Sequence, residues 1–507
     1  MIDIPFGWSL ETLTVVLTWT VIPTIVIGAC LSDFRNNVCK HPKQFQRRRF
    51  ANWFTMGLTY ALSYFGRYSI NVLNVESVYK TYGTTKEGYG NIIAAAFWVY
   101  AIFIIVNGFV TDKLGPRMGM LVGSFGCAIS NLAAGAYLQY CPWRGNKWVF
   151  GMAIIICVMN YFQTFSACSI VKLGAYWYNP RERGFFGSVF GVLIAFGFFL
   201  AYQVNGLLMK QIPYQWLFYN PGIALSVMFV LNYLIVKSKP TDLYSIDNPL
   251  IRNLYTKEFK PVTDKSEDAR SFGQMVAPVL RQGVFYVFFA AEFFLGWFRD
   301  GILTHFAGYF DSLGIDSGSA VYTLSSTGIT VGSMFGSLFA GIVSDLFFKS
   351  RRQPVAFLCC VMVTILLTVL YFFVDSIVIG PSVLGLTAIF YQGIHGILTA
   401  TCAMDFAGSG SAGIAVGLLD ASQKVASSLT GNVMPLIMKV DVDDEGDPVY
   451  SWPRWVLSMI PASVCCGILF LFIMGLKATH GKVGKKSDDE NSAPLLVHEE
   501  ETIQDKV

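Results

Sequence analysis

Six long apolar runs, a polar stretch, and six more apolar runs leave this chain little choice of fold. The first six lie near 50–74, 88–111, 117–138, 148–170, 184–209 and 215–236. The second six lie near 280–309, 320–345, 353–374, 378–400, 410–438 and 453–476. Each is close to the roughly 20 residues that an α-helix needs to cross a bilayer core. A backbone in lipid must satisfy its own hydrogen bonds, so such runs become helices. The prediction is an all-α membrane protein of two six-helix bundles related by a pseudo-two-fold axis. A further apolar run, Leu13 to Cys30, predicts an extra N-terminal membrane helix over 12–31. Asp3 and Glu11 before it are the wrong charges for a secretory leader.

Charge sets the organisation and orientation. Only 14% of residues are charged, against about 25% in soluble domains. The predicted division is an N-terminal apolar segment and basic stretch at 1–49, bundles at 50–236 and 280–476, a linker at 237–279 and a disordered tail at 477–507. Lys113, Arg117, Lys172, Arg181, Arg183, Lys349, Arg351, Arg352 and the linker fall on one side of the spans; Asp311, Asp316 and the acidic run from Asp441 to Asp447 fall on the other. The positive-inside rule therefore makes linker and tail cytoplasmic. The cell membrane is the expected location, with endolysosomal and endoplasmic reticulum membranes as alternatives. The eleven cysteines have neither metal nor disulfide-framework spacing. Nothing predicts a cofactor, a metal or nucleic-acid binding, and no nucleophile–base pair predicts an enzyme. A monomer in the bilayer and a chain with an accessory subunit both remain open.

Two charges stand where lipid-facing helices cannot keep them. Arg67 sits inside the apolar stretch Leu58–Asn71, and Arg299 inside Phe293–Leu303. A guanidinium at the centre of a membrane helix costs about 2.5–3.5 kcal/mol even on gentle insertion scales, so it requires compensation. Tyr60, Tyr64, Arg67 and Asn71 follow helical spacing and share one face. The two arginines are 232 positions apart. A second motif, Gly108-x-x-x-Asp112 followed by Arg117, recurs loosely around Asp345, and the two aspartates are 233 positions apart. Two motifs with nearly one offset predict an internal duplication with Arg67 and Arg299 as symmetry mates. Duplicated transporters place substrate near the midplane between the repeats, where two arginines would face one small anion. The other reading pairs them internally, Arg299 with Glu292 or Asp300 and Arg67 with tyrosines. Asp112 and Asp345 are expected to hold helix ends at a closed gate. Asp420 and Lys424, spaced i, i+4, read as a self-neutralising pair or, with His395 and Glu292, as a proton-coupling group.

The loop Gly108–Arg117 resembles the signature loop of the major facilitator superfamily. Over roughly 50–476 the chain is similar to the organophosphate:inorganic-phosphate antiporters of that superfamily, which include glycerol-3-phosphate and hexose-phosphate transporters. Tyr60, Tyr64 and Arg67 match that family's first-helix pattern, and Arg299 with Gly301-Ile302-Leu303 matches its second arginine. Glu182-Arg183-Gly184 and Tyr100 also fall on family positions. The resemblance implies alternating access, with Arg67, Arg299, Tyr60, Tyr64 and Tyr100 around a phosphate. The chain departs from bacterial members at Ile104, Ile194 and Tyr68, where they carry a lysine, a histidine and, in the glycerol-3-phosphate type, a lysine. A secondary transporter exchanging a phosphorylated sugar or glycerol phosphate for phosphate is the expectation. A proton- or cation-coupled symporter of an organic anion and a non-transporting sensor stand as alternatives.

Overall fold

The computed structural model describes residues 10–35, 37, 39–73, 76–179, 182–209, 211–245, 248–254, 271–315, 319–348, 352–398, 412–442 and 448–490. The helices come in chain order. An N-terminal helix α1 (Leu10–Arg35) precedes α2 (Lys43–Val72), a short α3 (Glu76–Tyr82), α4 (Lys86–Leu114), α5 (Pro116–Tyr140) and α6 (Asn146–Trp177). Helix α7 (Arg183–Phe199) passes through a π-helical turn at Leu200–Val204 into α8 (Asn205–Leu208), and α9 (Trp216–Ile235) closes the first half. The second half holds α10 (Phe272–Leu280), α11 (Gly283–Ser312), α12 (Ala320–Phe348), α13 (Arg352–Phe372), α14 (Ile379–His395), α15 (Ala412–Met438) and α16 (Trp452–Glu490). The tail expected to be disordered from 477 is helical as far as Glu490, where α16 ends, and residues 491–507 lie outside the described residues.

The chain is thus an all-α, multi-pass membrane protein with the expected extra N-terminal helix. Eight of these helices are long and apolar enough by themselves to cross a membrane. The helices that carry the charged residues of interest, α2, α11 and α15, are not among the eight. Their polar side chains lower the hydropathy and are buried in protein instead of facing lipid. Helix starts follow local chemistry. Thr85 caps α4 by accepting from the Gly88 N–H, and Pro116 begins α5 directly after Gly115, whose φ is +83°.

Two details were not anticipated. Helix α2 begins at Lys43, so the basic cluster forms its first turns rather than a loop. Lys, Arg and Gln are good helix formers, and Pro42 stands at the N-cap. Also, Lys439–Val442 and Pro448–Tyr450 pair as a small antiparallel β-ribbon between α15 and α16; residues 443–447 of the acidic run lie outside the described residues.

The halves meet along two helix pairs, α4 with α15 and α7 with α12. Close approach is possible because glycines line the seams. A Cβ on Gly108 would sit 2.6 Å from the Gly413 carbonyl oxygen, and one on Gly417 would sit 2.7 Å from that of Ile104. Helix α1 lies against both α7 and α12. Its Asp33 accepts from Trp53 at 3.1 Å and Tyr178 at 3.0 Å, which ties it to the first half.

Candidate functional site

Arg67 projects from the middle of α2 and is 3% exposed. Its guanidinium carbon lies 4.5 Å from the centre of the Tyr100 ring, 4.8 Å from Phe97, 5.4 Å from Tyr68 and 5.9 Å from Tyr64. Among the described residues, none of its three nitrogens has a hydrogen-bond partner. Aromatic faces attract a cation by about 0.5–2 kcal/mol each. They do not replace the five N–H donors that water would have satisfied, so the group is held as a charge and left open as a donor.

Arg299, on α11, is fully buried. Its Nη1 donates to Asp300 Oδ1 at 2.7 Å, while Nε and Nη2 have no hydrogen-bond partner among the described residues. The internal pairing of Arg299 with Asp300, one of the two readings from sequence, is therefore present. Glu292, two helical turns earlier, is also buried. Asp300 Oδ2 accepts from the Ser427 hydroxyl and lies 3.5 Å from Lys424 Nζ. Lys424 stands 3.9 Å from Asp420, farther than from Asp300, so α15 does not simply neutralise itself. The Lys424 ammonium also lies 5.7 Å from the Phe97 ring and 5.8 Å from the Tyr100 ring, the same two rings that face Arg67. A chain of contacts runs on. Lys424 donates to Gln423 Oε1 at 2.9 Å, and Gln423 Nε2 lies 3.1 Å from His395 Nδ1.

The tertiary structure thus gathers Arg67, Arg299 and Lys424 around Phe97, Tyr100 and Asp300. Tyr64 and Tyr68 lie within electrostatic reach of both guanidiniums. Sequence reading missed Gln423 and Ser427, and considered Asp300 only as a partner for Arg299, not for Lys424. The signal was available: Asp420, Gln423, Lys424 and Ser427 share one face of α15.

Beside this cluster is a narrow cavity of about 20 Å³, lined in part by Tyr60, Tyr64, Ile194, Gln392, His395 and Asp420. Arg67 and Arg299 are not on its walls. The space suits little more than a water molecule.

Hydrogen bonds join the halves toward both ends, supported by others within the first half. At the end that charge assigns to the cytoplasm, Asp112 accepts from the Gly413 N–H at 3.1 Å and the Ile414 N–H at 3.0 Å, capping α15. Lys172 Nζ lies 2.9 Å from Asp112 Oδ1 and also donates to the Asp112 carbonyl. Arg117 donates to the Tyr233 carbonyl at 2.6 Å. Asp345 falls on α12, and its side chain lies outside the described residues. At the other end Ser428 donates to the Ala94 carbonyl at 2.9 Å. Tyr202, in the π-helical turn, donates to the Leu303 carbonyl at 3.1 Å and accepts from Asn71 at 3.0 Å. π-Helical turns of this kind are often retained at functional sites.

Comparison with known proteins shows the family. Residues 56–431 match the Major Facilitator Superfamily. The chain belongs to that superfamily. It is a membrane transport protein and not an enzyme. Among its relatives is the Glycerol-3-phosphate transporter of Bacillus subtilis, 24% identical over 412 residues, which covers 78% of this chain and 87% of the relative. A protein of Chlamydia trachomatis named "Probable hexose phosphate transport protein" is 23% identical over 337 residues, 62% of this chain and 68% of that one. The xylose transporter XylE from E. coli, in a partially occluded inward open conformation, superposes with a TM-score of 0.62 at 14% identity, covering 85% of this chain and 98% of XylE. At that identity the likeness concerns the major facilitator fold alone.

The Glu182 of this superfamily member is held in a buried network before α7. Arg49 donates to it at 2.9 Å, and His41 Nε2 lies 3.1 Å away. Cys39, His41 and Glu182 bring three metal-ligand types within 4.8 Å of one another, yet the Arg49 charge already occupies the carboxylate. Burial alone pushes the Glu182 carboxyl up; the His41 hydrogen bond and the Arg49 charge outweigh it and hold the group below its ordinary range. A depressed carboxylate stabilises the fold above its unfolded pKa of about 4.3 and loses that contribution as pH falls through the folded value. We expect the wild-type melting temperature to drop as pH is lowered from about 5 to 3.5. Glu182→Gln should melt lower at neutral pH and with a flatter acid limb. Parallel melting curves for the two proteins across that range would contradict the assignment.

Proposed function

We propose that this transporter carries a small phosphorylated metabolite, a hexose phosphate or glycerol phosphate, in exchange for inorganic phosphate by alternating access. The observation that carries the reading is Arg67: a buried guanidinium whose donors have no hydrogen-bond partner among the described residues, grouped with Arg299 and Lys424. A phosphomonoester carries about −1.5 to −2 charges at neutral pH. Its oxygens match the planar fork of arginine, and its charge is worth most where water is excluded. Lys424 supplies from α15 a cation that Ile104 and Ile194 do not. The names of the Bacillus and Chlamydia relatives point to the same class of substrate.

The deciding experiment uses proteoliposomes loaded with inorganic phosphate. Labelled phosphate, glucose 6-phosphate or glycerol 3-phosphate should enter in exchange for internal phosphate. Absence of phosphate self-exchange, and of uptake of every ester offered, sinks the reading. The linkage of His395 through Gln423 to Lys424 supports a second reading, proton-coupled symport of an organic anion. Uptake driven by a pH gradient into vesicles without internal anion would favour it.

A further inference from the structure

Asp300 is a fixed carboxylate in the one place where a transporter of anions has most reason to avoid it. It is 1% exposed. It holds Arg299 Nη1 at 2.7 Å through one oxygen and faces Lys424 at 3.5 Å, with the Ser427 hydroxyl, through the other. A phosphate ester gripped by Arg299 and Lys424 would need those same donors, so the side chain and the substrate compete. A helix position that repels the cargo is unexplained by affinity. It is explained by what happens between cargoes. Three cations gathered from α2, α11 and α15 repel one another across the seam, and in a water-excluded site that repulsion opposes closure of the halves. An anion bonded to α11 and reaching α15 relieves it.

Resting on the reading of the cluster as an anion site, we propose that Asp300 is a tethered counter-anion. It takes the substrate's position on Arg299 and Lys424 when no substrate is bound. The unloaded transporter can then change face, and the protein carries out net flux beside exchange. Substrate binding displaces the carboxylate from Lys424, and release lets it return.

The test compares efflux of labelled phosphate from proteoliposomes into anion-free buffer with efflux into buffer containing phosphate. For wild type, efflux into anion-free buffer should run within about tenfold of exchange. Asp300→Asn removes the charge at almost constant shape, and its ratio of net efflux to exchange should fall at least about tenfold below that of wild type. Asp300→Glu should keep a ratio near wild type. An independent measurement is the phosphate concentration that half-maximally raises the melting temperature in detergent, which should be about tenfold lower in Asp300→Asn because the internal competitor is gone. An equal ratio in Asp300→Asn and wild type, unchanged phosphate affinity, or a wild type with exchange but no net efflux each overturns the proposal. If Asp300→Asn does not fold, the wild-type and Asp300→Glu ratios still decide it. A wild type that neither exchanges nor binds any phosphate compound refutes the functional reading instead, which separates the two failures.

Discussion

Arg67→Lys is expected to lower exchange in proteoliposomes by about 100-fold while the protein stays folded. The charge is kept, so the aromatic box of Phe97, Tyr100, Tyr68 and Tyr64 still holds a cation. What is lost is the planar pair of N–H donors that fits two phosphate oxygens. A hydrogen bond to a charged group is worth about 1.5–3 kcal/mol, and about 1.4 kcal/mol is a factor of ten, so two lost bonds at the lower end of that range account for that factor. The measurement is the initial exchange rate, set beside the melting temperature in detergent. An Arg67→Lys variant with rates within about threefold of wild type would remove Arg67 from the grip on substrate. Arg299→Lys should fall in rate as well, and because it also disturbs the 2.7 Å bond to Asp300 it should lose stability, which Arg67→Lys should not.

Asp112→Asn is expected to cost about 3–5 kcal/mol of stability and most transport. Asp112 is 9% exposed, and it is bonded both to Lys172 and to the first N–H groups of α15. Removing its charge strands the buried Lys172 ammonium, and an uncompensated buried charge costs more than the pair itself contributes. The carboxylate also meets the positive end of a long helix from the opposite half, so the contact between the halves on this side weakens with it. The melting temperature should fall by about 3–5 °C, since a chain of this length loses about 1 °C per kcal/mol. The double variant Asp112→Asn/Lys172→Gln should recover part of that loss, because no charge is then left alone. A double variant that melts lower than Asp112→Asn would show that the pair is not the source of the effect.

Much of this protein could be read from residue order. Apolar runs of about 20 residues specify transmembrane helices wherever they occur, because no other conformation satisfies the backbone in lipid. Arg67 and Arg299 were visible for the same reason: a guanidinium in such a run is too costly to be incidental. Asp112 could be expected at a gate. Its partners could not, since Ile414 lies 302 residues away and only the docking of the halves brings it there. The i, i+4 spacing of Asp420 and Lys424 pointed to a local pair, because spacing along a helix reports only neighbours on that helix. In the folded protein α11 lies against α15 and offers Lys424 a nearer carboxylate, Asp300. The β-ribbon of 439–442 with 448–450 and the helical start at Lys43 also escaped a reading based on apolar runs, since neither lies within one.

Local sequence therefore determined which segments cross the bilayer and which two arginines had to be accounted for, since desolvation acts on each residue where it stands. Which charges share a site, which rings face them and which carboxylate competes for them were decided only by the packing of α2, α4, α11 and α15. Electrostatic partnership depends on distances of a few ångströms between helices far apart in the chain, and those distances exist only once the two halves have met.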